Sequence, residues 1–284
     1  MNIKEILTST VEYFKKHNIA EPRLDAEVLL AHVLKKDRIQ LYVNFDLPLQ
    51  NEEIDKYRNL VRKRASRIPV AYLIGEKEFM SMNLYIERGV LIPRPETEQL
   101  VEKVIEYCKE NMIEEPNIVD VGSGSGAISV SLAHYIPGSR ILAVDISDKA
   151  VEITSKNIEK YELGDRVSVI KGDLLSPLLK IDKKNVDIVI SNPPYINSED
   201  MKTLSMEVQK EPELALSGGK DGLEFYRKII KQAPDVLKKS GLLALEIGYN
   251  QGDTVRELLI DGWDNIEVAK DYSGHERIVL ASVL

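Results

Sequence analysis

Cysteine occurs once in these 284 residues and histidine four times. With Cys108 alone no intrachain disulfide can close, so the chain carries no mark of an oxidising compartment. Cys108 follows Leu100, Val101, Val104 and Ile105 at helical spacing and reads as a core residue rather than a nucleophile. His17, His32, His134 and His275 are scattered and lack the spacing of a ligand set, so no metal is expected. Long apolar runs are missing too: none approaches the length needed to cross a bilayer. Met1-Asn2-Ile3-Lys4-Glu5 has neither the apolar core nor the cleavage pattern of a signal peptide. A cytoplasmic location is expected. Basic excess is also lacking. A net charge of -8 argues against broad, non-specific attraction to nucleic acid, although a local basic patch remains open.

What is present is an ordinary globular composition, 43% hydrophobic and 30% charged, in a chain long enough for one large domain with a small partner or two of ordinary size. Ile6, Leu7, Val11 and Phe14 recur at helical intervals within residues 3–16, as do Leu24, Val28, Leu29, His32 and Val33 within 24–34. A third helix is predicted over 52–67, where Ile54, Tyr57 and Val61 share a face. Its cations, Lys56, Arg62, Lys63, Arg64 and Arg67, read by default as a solvated face. These helices form a small N-terminal domain, residues 1–69. Short stretches bounded by Gly75, Ser81 and Gly89 predict a hairpin-like linker over 70–92.

From residue 93 the pattern changes. Pro93-Arg94-Pro95 stiffens the chain before a helix over 96–110. Strands at 118–121, 141–144, 167–171, 186–190 and 242–247 then alternate with helices that start at Ser125, after Ser147 and near Asp221. Such alternation predicts a mostly parallel sheet covered on both faces. Runs at 265–269 and 277–283, joined by a short polar loop, predict an antiparallel hairpin at the sheet edge.

Two stretches carry chemistry. Asp120-Val121-Gly122-Ser123-Gly124-Ser125-Gly126 follows the first strand, where glycines let the backbone bend sharply and approach a ligand. Asp145 ends the next strand about 20 residues beyond Gly126, the place where a carboxylate holds ribose hydroxyls. The glycines fall at every second position, unlike a dinucleotide fingerprint. Asp120 before them could meet an ammonium group and would repel a pyrophosphate. Ser191-Asn192-Pro193-Pro194-Tyr195-Ile196 ends the fourth strand. There the Asn192 side-chain carbonyl and the Pro193 backbone carbonyl could accept both hydrogens of one NH2 group, with the ring of Tyr195 covering a planar group beside it; Pro194 stiffens the loop. The bland alternatives are a proline turn and a glycine turn.

The glycine turn with Asp145 resembles the first two motifs of the class I S-adenosylmethionine-dependent methyltransferases. That resemblance implies a Rossmann-like α/β domain, residues 93–284, with S-adenosylmethionine on Asp120, Gly122, Ser123, Gly124, Ser125, Gly126, Asp145 and Asn192. It also implies that Asp173 and Leu174 bracket the adenine. In that superfamily Asn-Pro-Pro-Tyr marks enzymes that methylate a nitrogen conjugated to a π-system. Arg23-Leu24-Asp25-Ala26-Glu27, Leu91-Ile92-Pro93-Arg94-Pro95-Glu96-Thr97-Glu98, the Asn192 loop and the stretch Glu207 to Tyr226 together resemble the PrmC (HemK) family over essentially the whole chain. These are the peptide chain release factor N5-glutamine methyltransferases. The resemblance implies methylation of the glutamine in the Gly-Gly-Gln loop of bacterial class 1 release factors, with Asn192, Pro193, Pro194 and Tyr195 on that glutamine. It further implies that the N-terminal helices touch the release factor, turning Arg62 to Arg67 toward docking, and that Glu211 to Gly222 forms a substrate-facing lid. Neither nucleic acid nor membrane is expected as a direct partner. The rival readings are a glutamine methyltransferase acting on a ribosomal protein, a DNA or RNA adenine methyltransferase, and a cofactor-holding protein without catalysis.

Overall fold

The computed structural model describes residues 1–179 and 185–284. They divide into two compact units, one made of Met1–Glu76 with Ser205–Lys210, the other of Lys77–Leu204 with Glu211–Leu284.

The first unit is helical: α1 (Ile3–Lys16), α2 (Pro22–Leu34), α3 (Arg38–Val43), α4 (Asn51–Ala65) and α5 (Val70–Ile74). α1 starts where its sequence allows. Asn2 Oδ1 accepts the Glu5 N–H at 2.9 Å while Glu5 Oε2 accepts the Asn2 N–H at 3.0 Å, satisfying two otherwise orphaned donors reciprocally. Its buried stripe, Ile3, Ile6, Leu7 and Phe14, packs with Ala26, Leu29 and Leu30 of α2 and Ile54, Tyr57 and Val61 of α4. Each large apolar side chain so buried contributes about 1.5–3 kcal/mol, which is what holds helices this short.

The basic run of α4 is only partly a solvated face. Arg62 and Lys63 are exposed, but Arg64 is 6% exposed. Its Nε donates to Asp25 Oδ2 at 2.7 Å and its Nη1 to Glu207 Oε1 at 3.1 Å. Arg67 Nη1 donates to the same Glu207 oxygen at 3.0 Å. A guanidinium with several fixed donors can serve two carboxylates at once, and that is why the segment Ser205–Lys210 belongs to this unit.

The second unit opens with a two-stranded hairpin, β1 (Glu76–Phe79, whose first residue closes the helical unit) and β2 (Met82–Tyr85), followed by α6 (Pro95–Glu110). Then come β3 (Asn117–Val121), α7 (Ala127–Tyr135), β4 (Arg140–Asp145), α8 (Asp148–Lys160), β5 (Val167–Lys171) and β6 (Val186–Ser191). α9 (Glu224–Val236), β7 (Leu237–Glu246), α10 (Gly252–Glu257), β8 (Trp263–Lys270) and β9 (Glu276–Val283) complete it. The strands form one seven-stranded sheet in the order β5-β4-β3-β6-β7-β9-β8. β5, β4, β3, β6 and β7 are parallel; β9 runs antiparallel to both β7 and the edge strand β8.

This is the mostly parallel sheet with an antiparallel C-terminal hairpin that the alternation of elements predicts. Ile118, Val119, Asp120 and Val121 of β3 are all buried, as a central strand covered on both faces requires. Val119 and Val121 join the core that contains Tyr226, Ile229 and Ala233 of α9. β7 begins five residues earlier than the apolar run indicates, because pairing with β6 jumps from Val186↔Leu237 to Ile188↔Leu242. The helix expected from Ser125 starts at Ala127, with Gly126 as its N-cap. Among the described residues, no helix is long and apolar enough to cross a membrane.

The topology creates one switch point. From β3 the chain winds outward through β4 and β5, then returns to β6 on the other side of β3 and winds the opposite way. Ligands of open α/β sheets lie outside the carboxyl ends of the strands at such a point, here between β3 and β6.

Candidate active site

A cavity of about 370 Å³ opens at this place. Its walls come from the carboxyl ends of four strands: Gly122 to Ser125 after β3, Asp145 to Ser147 after β4, Gly172 to Leu174 after β5 and Asn192 to Pro194 after β6. Leu91, Pro93, Arg94 and Thr97 close one side; Pro212, Leu214, Ala215, Phe225 and Lys228 close another. Two depressions of similar volume lie at the opposite, amino edge of the strands, beside Asn117 and Arg140 and beside Glu162 and Gly164. They contain none of the motif residues, so the carboxyl-edge cavity is the candidate site.

The glycine turn is shaped for a ligand. Gly122 and Gly124 have φ of +78° and +57°, and a Cβ built on either would meet nothing within 4 Å. Glycine is therefore kept here by backbone conformation, and open space lies beside it. Asp145 holds the turn: Oδ2 accepts the Gly124 N–H and Oδ1 the Ser147 N–H, both at 2.9 Å. Burial pushes its carboxyl pKa up, opposed by these backbone donors. Each oxygen keeps a lone pair for a further donor. Leu174 lines the wall at φ +50°, a left-handed conformation that a leucine rarely adopts.

Asp120 and Tyr195 stand elsewhere than the sequence suggests, for neither is among the wall residues. Strand alternation turns Asp120 away from the face of Val119 and Val121. It is 0% exposed, and its Oδ2 accepts from Ser129 Oγ of α7 at 2.6 Å. Among the described residues its Oδ1 has no hydrogen-bond partner. Burial drives its pKa up to about 7, against the Ser129 hydrogen bond and with some help from the Asp145 charge. The ring of Tyr195 packs against the core beneath α9, where burial pushes its hydroxyl up to about 12.

The Asn192 loop is braced from behind. Ile196 N–H donates to the Leu216 carbonyl at 3.0 Å and Gly218 N–H to the Ile196 carbonyl at 2.8 Å. A Cβ at Gly218 would come within 2.7 Å of Tyr195 Cα and 2.8 Å of the Pro194 oxygen, so only glycine lets the two segments approach this closely. The stretch expected as a lid is thus also a brace. Its first residue, Glu211, is buried, taking Arg94 Nη2 at 2.6 Å and the Ile92 N–H at 3.0 Å.

Two residues given no role in the sequence reading stand beside Asn192. Asn192 Nδ2 donates to Thr97 Oγ1 at 3.0 Å, and Thr97 Oγ1 donates to Glu246 Oε2 at 2.5 Å. Burial pushes Glu246 up to about 7, against the Thr97 hydrogen bond and the nearby Arg277. The signal for Glu246 in the sequence is a carboxylate inside the otherwise apolar run 242–247, which must find a partner or give up its charge. Cys108 lies in the core of α6, where burial raises its thiol to about 11. Among the described residues, no cluster of His, Cys, Asp and Glu suited to a metal occurs.

Comparisons with known proteins bear on the family. Residues 5–75 match the PrmC N-terminal domain and residues 97–219 the methyltransferase small domain. A release factor glutamine methyltransferase of Clostridium botulinum is 41% identical over 99% of both chains. One from Clostridium acetobutylicum is 39% identical over 99% of this chain and 98% of its own. Among solved structures, a methyltransferase from Pyrococcus furiosus superimposes with a TM-score of 0.52 at 19% identity, over 72% of this chain and 89% of its own, which bears on the fold alone. The chain belongs to the family of release factor glutamine methyltransferases, class I methyltransferases with a helical N-terminal region.

Proposed function

We propose that this chain transfers a methyl group from S-adenosylmethionine to the side-chain amide nitrogen of the glutamine in the Gly-Gly-Gln loop of a peptide chain release factor. The observation that carries the reading is one cavity lined by Gly122 to Ser125, Asp145 and Asn192 to Pro194, in a chain of this family. When bound, S-adenosylmethionine supplies an electrophilic methyl on a sulfonium.

The residues fit such a group. Gly122 and Gly124 leave open space over a turn of free backbone, and Asp145 offers acceptor positions for ribose hydroxyls. Ser123 and Ser125 line the same turn, with Gly126 ending it. Asp173 and Leu174 take the adenine edge and face. Asp120, sealed behind the turn with its carboxyl pushed up to about 7 by burial, stands outside the cavity wall and is left out of the cofactor contacts.

On the acceptor side, an amide nitrogen has its lone pair delocalised into the carbonyl and attacks poorly. Asn192 Oδ1 and the Pro193 carbonyl accept its two hydrogens, aim it in line with the methyl and draw electron density toward nitrogen. Pro194 stiffens this loop, and Tyr195 holds it from behind. Bound S-adenosylmethionine would supply the methyl, its carbon–sulfur bond breaking as the amide nitrogen forms the new bond, and the amide would lose its proton during or after transfer. No side chain serves as a dedicated general base, since an amide is not deprotonated beforehand at neutral pH.

Residues 1–69 serve as the release factor recognition domain and 93–284 as the methyltransferase domain, while the expected linker 70–92 divides between the two units, α5 belonging to the helical one and the β1–β2 hairpin opening the other. With Arg64 and Arg67 committed to carboxylates of their own unit, the exposed Arg62 and Lys63 are what the basic run offers a partner. The test is Asn192→Ala. Turnover should fall at least about 100-fold while calorimetry shows cofactor affinity within about twofold of the parent. Undiminished turnover would remove Asn192 from the mechanism.

A further inference from the structure

We propose that Thr97 and Glu246 are positioning residues that dictate which end of the Asn192 side-chain amide faces the methyl acceptor. The inference rests on the reading of Asn192 given above and adds to it the device that makes its carbonyl, not its NH2, the presented group.

A primary amide is nearly symmetrical in shape, and turning it over by half a rotation changes little but its hydrogen bonding. For Asn192 the two orientations are opposites in function. Oδ1 toward the cavity accepts N–H groups, whereas Nδ2 toward the cavity would confront the NH2 of a glutamine with a second donor. Something must choose.

The choice is made by counting protons along three residues drawn from three elements. Glu246, the last residue of β7, is 1% exposed, and as a carboxylate it can only accept. Thr97, in the first turn of α6, is 4% exposed and owns a single hydroxyl proton. At 2.5 Å from Glu246 Oε2 that proton is spent on the carboxylate, so Thr97 Oγ1 faces its other partner with lone pairs alone. Asn192 stands at 3.0 Å and can meet lone pairs only with Nδ2. Oδ1 is thereby left over. Among the described residues it has no hydrogen-bond partner, and Asn192 lines the cavity. The inverted amide would set Oδ1 against Oγ1, acceptor against acceptor.

One consequence is specificity. A wall that presents two acceptors welcomes the NH2 of a carboxamide and repels a carboxylate, so it separates glutamine from glutamate. A second consequence is pH dependence. Protonated on Oε2, Glu246 would donate to Thr97, and the freed Thr97 proton would call for Oδ1 of Asn192, turning the amide over. Burial already brings this carboxyl to about 7. Arg277 and Arg94 favour its charge, Glu96 opposes it, and the neighbouring Tyr195 and Tyr226 hydroxyls stay protonated because burial raises both. Turnover should therefore fall as pH drops below about 7.

The test uses the full chain with labelled S-adenosylmethionine and a release factor that contains the Gly-Gly-Gln loop. Thr97→Val keeps the shape and removes the hydroxyl; kcat should fall at least about 10-fold with cofactor affinity within about twofold. Thr97→Ser restores the hydroxyl and should return kcat to within about threefold of the parent. Glu246→Gln removes the titrating group, so the acidic fall in turnover should disappear. Full turnover by Thr97→Val, no rescue by Thr97→Ser, or an unchanged acidic limb in Glu246→Gln each overturns the proposal. Asn192→Ala, run beside them, separates the two levels. If it is impaired while Thr97→Val is not, the positioning role alone fails; if Asn192→Ala is unimpaired, the acceptor reading beneath it fails.

Discussion

Asp120→Asn offers a quantitative check on the electrostatics beneath the glycine turn. The Asp120 carboxyl is 0% exposed, has one oxygen on Ser129 Oγ at 2.6 Å and the other with no donor among the described residues. Its pKa of about 7 compares with about 3.9 for aspartate in an unfolded chain. Because the folded value is the higher one, the folded state holds more protons between the two values, and stability must fall as pH rises through that interval. Three units at about 1.36 kcal/mol each give a loss of about 4 kcal/mol, of which about 3 kcal/mol falls between about pH 5 and about pH 8.

Asparagine cannot titrate. Its Oδ1 can still accept from Ser129, while its NH2 takes the unpartnered side at a roughly constant cost of about 1–3 kcal/mol. The variant should therefore gain about 3 kcal/mol on the parent in going from about pH 5 to about pH 8, whatever its absolute stability. Glu246, which shifts in the same direction, is common to both proteins and cancels. Urea unfolding without added cofactor, followed by fluorescence of Trp263, measures the difference, because this sole tryptophan is buried in the methyltransferase unit. A parent-to-variant difference that stays constant across the two pH values would refute the burial argument.

Three further outcomes are expected. Asp145→Ala removes the acceptor that holds the Gly124 and Ser147 N–H groups and should weaken cofactor binding at least about 10-fold by calorimetry; unchanged affinity would count against the assigned role. Gly218→Ala pushes a methyl to 2.7 Å from the Tyr195 backbone and should cost about 1–3 kcal/mol, with a lower kcat but cofactor affinity nearly intact, as steady-state kinetics would show. Arg64→Met strands Asp25 and leaves Glu207 on Arg67 alone, and should destabilise the helical unit by about 3–5 kcal/mol, read as faster hydrogen exchange in α1, α2 and α4 than in β3 or β4; uniform exchange would contradict it.

Much of the site is legible in the sequence because it is local. Gly122 to Gly126, Asp145 and the Asn192 loop each sit where an apolar strand ends, and parallel strands deliver their carboxyl ends to one edge. Taken as part of the glycine run, Asp120 is expected at the ligand, whereas it lies outside the cavity wall. The two-residue period of its own strand turns it from the face of Val119 and Val121 toward Ser129. What a sequence pattern cannot carry is a partner brought from far away. Thr97 looks like any residue of a helix's first turn until β7, 149 residues on, supplies Glu246. The capture of Glu207 by Arg64, 143 residues apart, is likewise a property of the packed unit. The short helices α3, α5 and α10, of six, five and six residues, are too brief to show a hydrophobic period.

The central claim concerns which atom receives the methyl group. Offered labelled S-adenosylmethionine together with a release factor, a ribosomal protein and DNA, the chain should label the release factor alone. Peptide mass mapping should place the methyl on the side-chain nitrogen of the Gly-Gly-Gln glutamine, with no label when that glutamine is replaced by glutamate. Label on DNA or on the ribosomal protein, or label that persists in the glutamate version, would contradict the account.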